Sequence, residues 1–377
     1  MKSQQSSVIG PTKAKQLCVN IGILVSSTIL FLLACELVVF RIVLPGSDVP
    51  SNAFVDDVVR YDPNQIGIWR VRNEIRAPYA INAQGWNSGS GDYVVDRKPG
   101  VMRVAVVGDS FVEALQVRYD RSLGEHIGRH LSALLNRPVE VYRFGMSGAP
   151  LSQYVHMIQR EVARYQPDWI VVLLIHNDFD ESFEFVSGRY TSSFLKLKID
   201  NAMVVSEIPP TPWRPGAADF VRRTAHARFF YYRWQVRSDT LRNVFVPIAQ
   251  AATSAEASPE HSLKMLKIEA ATEYLFRRLS AASRLVGGRL LLTMDGDRAA
   301  IYATRAEPGQ QLNRIAATTA QRLRLPYLDL HPHFLADWQQ NGLRFHYLTD
   351  HHWNERGHAV AGLAIAQAMQ VTFDQGR

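Results

Sequence analysis

The chain has 377 residues, of which 47% are hydrophobic and 20% charged, and its formal net charge is +7. This length allows one large domain with an appendage, and the composition is that of an ordinary globular protein. The basic residues are scattered and form no run of five or more. This favours a solvated surface over a nucleic-acid-binding one, so we expect no nucleic-acid partner.

The first predicted element is an apolar helix near the N-terminus. Residues 17–35 contain no charged side chain, and the apolar pattern continues through Leu44. A helix of about twenty apolar residues crosses a bilayer. Three lysines precede this stretch, and positive residues remain on the cytoplasmic side of a membrane. The sequence therefore predicts a cytoplasmic tail over 1–16, a transmembrane anchor over 17–44, and a chain that otherwise lies outside the cytoplasm.

The same stretch has three other interpretations. The first is a cleaved signal peptide. The apolar run is long for one, and no small-residue cleavage site closes it. Lipoprotein processing at Cys35 requires a polar tether after that residue, but the sequence there stays apolar. A buried core helix is the third alternative. Because Cys18 and Cys35 are the only cysteines, the rest of the chain has no disulfide, thiolate chemistry or cysteine-based metal site.

The remainder of the chain has the pattern of an α/β protein. Residues 45–100 are rich in Pro, Gly, Asn and Asp and are predicted to be a connector that packs on the domain formed by 101–377. In that domain apolar runs alternate with amphipathic stretches, which predicts a doubly wound fold. Predicted strands cover 102–107, 139–144, 168–175, 289–294 and 326–329, and predicted helices cover 122–136, 151–165, 262–285, 307–323 and 355–370.

An insertion at about 185–260 interrupts this alternation between the third and fourth strands. It contains a proline-rich piece, a stretch rich in arginine and aromatic residues, and the low-complexity run 251–259. Aromatic side chains such as Phe229 and Tyr231 can stack on sugar rings or touch a membrane. The alternative, which we favour, is an amphipathic helix that packs its aromatic residues on the core.

A serine lies at the end of the first predicted strand, in Gly108-Asp109-Ser110. Open parallel sheets build their sites outside the carboxyl ends of the strands, so Ser110 is a candidate nucleophile. Such a serine needs a base and a carboxylate that orients it. Asp350 and His352 lie two residues apart in a predicted loop before the last helix, and this spacing lets the carboxylate reach the imidazole. Asn354 is predicted to cap that helix.

Two further loops follow the second and third strands. The first contains Gly148 in a glycine-rich turn whose backbone N–H groups can face the crevice, and the second contains Asn177, a side-chain donor. Taken singly, each is also compatible with an ordinary connecting loop. The histidines near the C-terminus raise the alternative of a metal cluster, but they lack the spacing of helical metal-ligand pairs; they are His346, His351, His352 and His358.

These motifs together resemble the SGNH (GDSL) hydrolases, which contribute Ser, Gly, Asn and His to one site from four short blocks. The resemblance covers roughly residues 101–370 and implies a three-layer α/β/α sandwich with a five-stranded parallel, flavodoxin-like sheet. It implies a serine esterase without metal or organic cofactor. The implied catalytic residues are Ser110, Asp350 and His352, and the implied oxyanion donors are the backbone of Ser110 and Gly148 and the side chain of Asn177.

The chain departs from the family pattern at three points. Arg143 stands where an asparagine usually opens the second block, and Ile175 stands where a glycine usually precedes the third. The last block reads Asp-x-His followed by Trp353, instead of Asp-x-x-His. That shortened form is similar to SGNH-like proteins of alginate and related polysaccharide O-acetylation, which are extracytoplasmic.

The resemblance therefore implies an esterase that acts on acyl groups, in particular O-acetyl groups, of a cell-envelope or secreted glycan. Combined with the anchor, it places a single-pass protein in a bacterial inner membrane, with its N-terminus cytoplasmic and its enzyme domain periplasmic. Three alternatives remain open. They are an O-acetyltransferase that works with a membrane-bound O-acyltransferase, an esterase for lipids or thioesters, and a non-catalytic glycan-binding scaffold.

Overall fold

The computed structural model describes residues 11–89, 91–183, 191–236, 259–305 and 311–374. The chain divides into two compact units. The described parts of Met1–Ser47 and Pro215–Arg242 form the first unit, and those of Asp48–Arg214 and Asn243–Arg377 form the second. The second unit contains the central sheet.

The region predicted as a connector forms two β-hairpins. Their strands are β1 (Asn52–Val55) with β2 (Val58–Tyr61), and β3 (Ile66–Val71) with β4 (Ile75–Ala80). The first hairpin turns through Asp56 and Asp57, which both have positive φ. This conformation matches the twist of the strands, and Asp tolerates it better than most residues. Side chains of the region, such as Trp86, belong to the same buried cluster as residues of the central sheet.

Five parallel strands form the central sheet, as predicted. They are β5 (Met102–Gly108), β6 (Val139–Gly145), β7 (Trp169–Leu174), β10 (Arg289–Met294) and β11 (Tyr327–Asp329), in the order β11-β10-β7-β5-β6. A separate hairpin, β8 (Lys196–Ile199) with β9 (Val205–Ile208), lies in the region predicted as an insertion. After β6 the chain returns to the other side of β5, so the direction of winding reverses beside β5. A ligand crevice is expected at such a reversal, outside the carboxyl ends of the strands.

Helices cover both faces of the sheet. Alternate side chains of β5 explain this arrangement, because Ala105 and Val107 join one buried cluster while Val104 and Val106 join another. The α-helices of the described residues are α1 (Pro11–Ala34), α2 (Ser110–Glu113), α3 (Leu123–Leu135), α4 (Leu151–His156), α5 (His176–Glu181), α6 (Ala217–Arg223), α7 (Ala225–Ala227), α8 (Pro259–Val286), α9 (Arg298–Tyr302), α10 (Gln311–Arg322), α11 (His331–Asn341) and α12 (Glu355–Asp374). Residues of α4, α8 and α10 belong to the first cluster, and residues of α3, α11 and α12 to the second.

The predicted helices agree with this set, with two exceptions. The predicted helix 151–165 continues after α4 as one π-helical and one 3₁₀ segment. The predicted helix 307–323 begins with residues 307–310, which lie outside the described residues. The helices α9 and α11 were not predicted, and α5 occupies a stretch that was predicted as a loop. The low-complexity run at 251–258 also lies outside the described residues.

The first unit combines α1 with a part of the predicted insertion. The helix α1 continues as a π-helix over Cys35–Val43. Together, Lys15–Val43 are long and apolar enough to cross a membrane, a property that a signal sequence shares. The insertion contributes Ala217–Arg233, which comprises α6, α7 and a π-helical turn. We call this part the arginine-aromatic segment. Its Phe229 is buried and lies against Phe40 of the apolar helix, with ring centroids 4.8 Å apart.

Candidate active site

Ser110 occupies the first position of α2, directly after β5. The carboxylate of Asp109 caps this short helix by accepting a hydrogen bond of 2.9 Å from the Phe111 backbone N–H. Gly108 lets the helix pack closely on the strand end, because a Cβ there would lie 2.5 Å from a methyl carbon of Val112 and would force that side chain to move. This tight turn brings the Ser110 side chain to the carboxyl end of the sheet, where the residue is 9% exposed.

A chain of hydrogen bonds joins Ser110, His352 and Asp350. The Nε2 atom of His352 lies 2.8 Å from the Oγ of Ser110, and its Nδ1 atom is hydrogen-bonded to Oδ1 of Asp350. The same carboxylate oxygen also accepts the backbone N–H of His352 at 2.9 Å. The short Asp-x-His spacing therefore lets one oxygen hold both the ring and the backbone of the histidine. Because Nδ1 faces a carboxylate, Nε2 remains available to accept the serine proton.

Asp109 is a second neighbour of the serine hydroxyl. Its Oδ2 lies 3.3 Å from the Ser110 Oγ, a longer separation than the one to His352. A hydroxyl has one proton to donate, so the imidazole of His352, which lies closer, is the better acceptor for the Ser110 hydroxyl. Burial raises the pKa of Asp109 to about 6, although the Phe111 N–H and the nearby His352 oppose the shift.

The electrostatics of the pair favour a charged histidine. Burial alone would raise the pKa of Asp350, but hydrogen bonds with His352 and its charge outweigh burial and hold that pKa below its ordinary value. Burial likewise lowers the pKa of His352, but the bond to Asp350 and its negative charge prevail, so the net pKa is raised. The negative charges of Asp109 and Glu113 act in the same direction. The site thus stabilises the imidazolium that forms when His352 takes a proton.

The loop that bears Asp350 and His352 is fastened by Trp353, which is fully buried. The indole Nε1–H donates to Oδ1 of Asp295 at 3.1 Å, and its ring meets that of Phe111 edge-on with centroids 5.3 Å apart. Asn354 caps α12, as predicted, by accepting the backbone N–H groups of residues 356 and 357. The histidine is therefore held between a packed indole and a helix start.

Gly148 and Asn177 lie beyond the ends of the two strands that flank β5. Gly148 follows β6 in a turn with φ of +74°, and a Cβ at this position would meet no atom within 4 Å, so the backbone is open to a ligand. Asn177 is an exposed residue in the first turn of α5, directly after β7. Its side chain is hydrogen-bonded to Glu181, which partly offsets the effect of burial on the pKa of that carboxyl. Both residues thus follow strands adjacent to β5.

Glu113 is a site residue that the sequence reasoning missed. It lies at the end of α2, is almost fully buried, and accepts a hydrogen bond from the hydroxyl of Ser147, the neighbour of Gly148. Its other oxygen, Oε1, has no hydrogen-bond partner among the described residues. Burial raises the pKa of Glu113 to about 7, although Ser147, His352 and Arg143 oppose the shift. This carboxyl connects the serine turn to the loop that contains Gly148.

The loop after β10 was also missed. Asp295 follows the strand directly and is fully buried, and burial raises its pKa although Arg298 lies nearby. The guanidinium of Arg298 donates to the backbone carbonyl of His351 and lies 5.5 Å from the centroid of the Phe111 ring. A polar residue after an apolar strand is the signal that identified Asn177, and the same signal was present at Asp295.

The departures from the family pattern have structural roles. The Arg143 side chain is buried and donates hydrogen bonds to the carbonyls of Val112 at 3.2 Å and Asn87 at 2.9 Å. It therefore fastens the end of α2 to the chain that follows the hairpins. Ile175 is buried in the second apolar cluster.

The histidines near the C-terminus have different hydrogen-bond and ring partners. His346 is hydrogen-bonded through Nδ1 to the Tyr302 hydroxyl at 2.8 Å, and His358 packs edge-on against the ring of Trp353. His352 faces Ser110. Within the described ranges, no three His, Cys, Asp or Glu side chains are grouped so that they would hold a metal ion.

The model of the GDSL-like lipase/acylhydrolase family matches residues 106–360, which include all five predicted site residues. No curated protein matches the chain.

Several solved structures are similar to this chain. A lipase/acylhydrolase from Enterococcus faecalis is 12% identical with a TM-score of 0.39, and the match covers 72% of this chain and 96% of that one. A mutant of the acetylxylan esterase Axe2 from Geobacillus stearothermophilus is 13% identical with a TM-score of 0.36, covering 72% and 94%. A two-domain esterase active on acetylated mannans is 10% identical with a TM-score of 0.39, covering 72% and 49%.

Proposed function

The chain belongs to the GDSL-like lipase/acylhydrolase family and is an ester-bond hydrolase, and we propose that Ser110 is its nucleophile. The observation that carries this assignment is the hydrogen-bonded series from Ser110 through His352 to Asp350. A serine hydroxyl is a weak nucleophile until a base takes its proton, and this series supplies the base and its orienting carboxylate.

The first half of the reaction forms an acyl-enzyme. The Ser110 Oγ attacks the acyl carbonyl while His352 Nε2 accepts the hydroxyl proton. The C–O bond to the leaving alcohol then breaks, and the imidazolium returns the proton to that oxygen. Asp350 keeps the proton of the neutral imidazole on Nδ1 and stabilises the imidazolium, consistent with the raised pKa of His352.

The oxyanion that forms on the attacked carbonyl needs hydrogen-bond donors. The backbone N–H of Ser110 at the start of α2, the N–H of Gly148 and the side-chain amide of Asn177 are the donors we propose. For Asn177 this requires that the amide turns from Glu181 towards the substrate. Support comes from the positions of the three residues after adjacent strands.

The second half of the reaction releases the acyl group. His352 takes a proton from water, the hydroxide attacks the acyl-enzyme, and the proton passes to the Ser110 Oγ as the carboxylic acid leaves. A sugar hydroxyl in place of water would give transfer of the acyl group with the same proton movements. The proposed route uses the chain's own side chains for each proton transfer.

We propose O-acetyl groups of a cell-envelope or secreted glycan as the substrate. The support is the shortened Asp350-to-His352 form with its following Trp353, which is similar to proteins of polysaccharide O-acetylation. We further propose that the apolar helix spans the bacterial inner membrane with its N-terminus in the cytoplasm. Its length and composition and the preceding lysines support this topology.

The test uses the full-length protein in detergent or nanodiscs. Purified enzyme is incubated with chromogenic acetyl, butyryl and octanoyl esters, and acetate release is measured from an O-acetylated polysaccharide. We expect hydrolysis of the acetyl ester and release of acetate from the glycan, and Ser110→Ala is the matched control. Preference for the octanoyl ester with no acetate release would overturn the glycan substrate. A parallel reaction with a deacetylated glycan acceptor detects transfer through newly formed sugar esters.

A further inference from the structure

The apolar helix contains one acidic residue, Glu36, and the arginine-aromatic segment binds it. The Glu36 carboxylate accepts the backbone N–H groups of Ala225 at 2.7 Å and His226 at 3.2 Å. It also lies 2.7 Å from the Nδ1 of His226 and 3.3 Å from a guanidinium nitrogen of Arg41. The first residues of α7 thus supply donors to a carboxylate that belongs to the apolar helix.

The position of Glu36 along the apolar helix sets the depth in the bilayer at which these hydrogen-bond donors lie. A carboxylate in the apolar part of a bilayer is costly unless other groups bond to it. Glu36 precedes the end of the apolar stretch at Val43 by seven residues, which corresponds to about 10 Å of helix. Ala225 and His226 therefore lie at the same depth as Glu36, below the outer end of the apolar stretch.

Packing and backbone contacts hold the segment to the end of the helix. The Phe40 ring lies between His226 and Phe229, with centroids 4.8 Å from each. The Ser47 N–H donates to the Arg228 carbonyl at 3.2 Å, and the Arg228 Nε donates back to the Ser47 carbonyl at 2.8 Å. A Cβ at Gly46 would lie 2.6 Å from the Arg228 backbone carbon, so the two chains approach as closely as glycine allows.

The outer surface of this assembly has the composition of a membrane interface. Ile42 and Val43 of the apolar helix are 72% and 64% exposed, and Phe220 and Val221 of the segment are 65% and 62% exposed. The segment also contains four arginines, at positions 222, 223, 228 and 233. Aromatic and apolar side chains with arginine beside them are typical of helices that lie in the headgroup region of a bilayer.

We infer that the arginine-aromatic segment is an interfacial element that lies at the boundary between the outer headgroups and the acyl chains, and that its arginines bind anionic headgroups. This inference rests on the membrane-spanning role proposed for the apolar helix. Phe220 and Val221 enter the boundary with the acyl chains, and Arg222 and Arg223 contact phosphate groups. The arrangement removes the carboxylate of Glu36 from contact with lipid and gives the exposed aromatic residues an apolar environment.

Site-directed spin labelling of the full-length protein tests this inference. The only cysteines, Cys18 and Cys35, are replaced by Ser, and a nitroxide is attached at Val25→Cys or Phe220→Cys in separate samples in nanodiscs. We expect the label at position 25 near the bilayer centre and the label at 220 about 5–10 Å inside the headgroup boundary. A deep label at 25 with a water-accessible label at 220 would overturn the interfacial position. A water-accessible label at 25 would instead overturn the membrane-spanning role and, with it, this inference.

A second comparison tests the headgroup chemistry. The depth of the label at 220 is measured in zwitterionic nanodiscs and in nanodiscs with 30% anionic lipid, a composition of about one charged headgroup in three. We expect deeper and less mobile labels in the anionic bilayer, and loss of that difference in Arg222→Gln/Arg223→Gln. The matched control, Arg118→Gln/Arg121→Gln, removes two exposed arginines of the other unit and should keep the difference. Equal depth in both bilayers for the parent protein would overturn the binding of anionic headgroups.

Discussion

His352 Nε2 lies 2.8 Å from Ser110 Oγ, although 242 residues separate the two along the chain. The sheet explains this meeting, because Ser110 follows β5 and the loop of His352 leads into α12, which packs on the same face of the sheet as α3. The buried indole of Trp353, which donates to Asp295, then positions the neighbouring His352 at the carboxyl ends of the strands.

Replacement of Ser110 by Ala should abolish turnover with little change in melting temperature. The hydroxyl is the proposed nucleophile, and members of such a unit lose on the order of a millionfold in kcat when removed. A fluorophosphonate probe should label the parent protein and leave Ser110→Ala unlabelled. Labelling that persists in the variant would assign the nucleophile to another serine.

His352→Ala should lose about as much activity as Ser110→Ala, whereas His351→Ala should lose far less. Adjacent side chains of an extended loop point to opposite sides, and the imidazole of His352 is the one bonded to Ser110. Arg298 contacts the backbone carbonyl of His351, a contact that survives removal of the ring. Steady-state kinetics of both variants decide the matter, and equal losses would argue against His352 as the sole base.

Asn177→Ala should lower kcat by about a hundredfold to a thousandfold and leave KM nearly unchanged. An oxyanion donor acts on charge that exists only after attack, so substrate binding does not depend on it. The kinetics should be measured beside thermal melting. A variant that melts far lower but keeps its turnover per folded molecule would show that Asn177 serves the fold through its bond to Glu181.

Activity should fall on the acid side with a midpoint above the ordinary histidine pKa of 6.5, because the pKa of His352 is raised and only the neutral ring accepts a proton. Asp350→Asn removes the charge that raises this pKa, so its acid limb should move to lower pH while kcat falls on the order of 10⁴-fold. The check is the dependence of kcat/KM on pH for both proteins. An acid limb that stays in place in Asp350→Asn would mean that another group controls it.

The stability of Glu113→Gln relative to the parent protein should rise as the pH rises from about 4.5 to about 7. The carboxyl has an ordinary pKa of 4.5 and a folded pKa of about 7. The folded state therefore binds more protons than the unfolded state between these values, and the parent protein loses stability because the carboxyl ionises in the unfolded chain while it stays protonated when buried. Melting temperatures of the two proteins across this range give the difference directly. A difference that does not change with pH would mean that Glu113 does not titrate in this window.

The sheet was predictable because its strands are short apolar runs, such as 289–294, which was predicted with the same bounds that the structure has. The hairpins were not predicted, since the strand of residues 66–71 alternates weakly and its burial depends on contacts distant in sequence. The contact between the arginine-aromatic segment and the apolar helix could not be predicted from the sequence either. The segment's contact with Glu36 joins residues 189 positions apart, and neither local pattern indicates the other.

The positions of the motifs were enough to predict the candidate catalytic residues. The side-chain environment around them could not be predicted from the sequence. Ser110, Asp350 and His352 were predicted from their places near strand and helix ends, and the structure brings them within hydrogen-bonding distance. The catalytic roles remain predictions. Glu113 escaped notice because its importance depends on burial and on Ser147, which approaches from another strand end. Such an environment arises from tertiary packing, which local sequence does not encode.

The carboxylate of Asp350 holds the ring and the backbone of the same histidine within a single three-residue turn. A displacement of this loop would therefore carry the imidazole and its carboxylate together, away from Ser110 and from the negative charges of Asp109 and Glu113. An enzyme molecule with the loop withdrawn would keep the hydrogen bond between His352 and Asp350 and yet be inactive. A paired histidine and aspartate would then be present in competent and incompetent molecules alike, and reactivity at the serine would tell them apart.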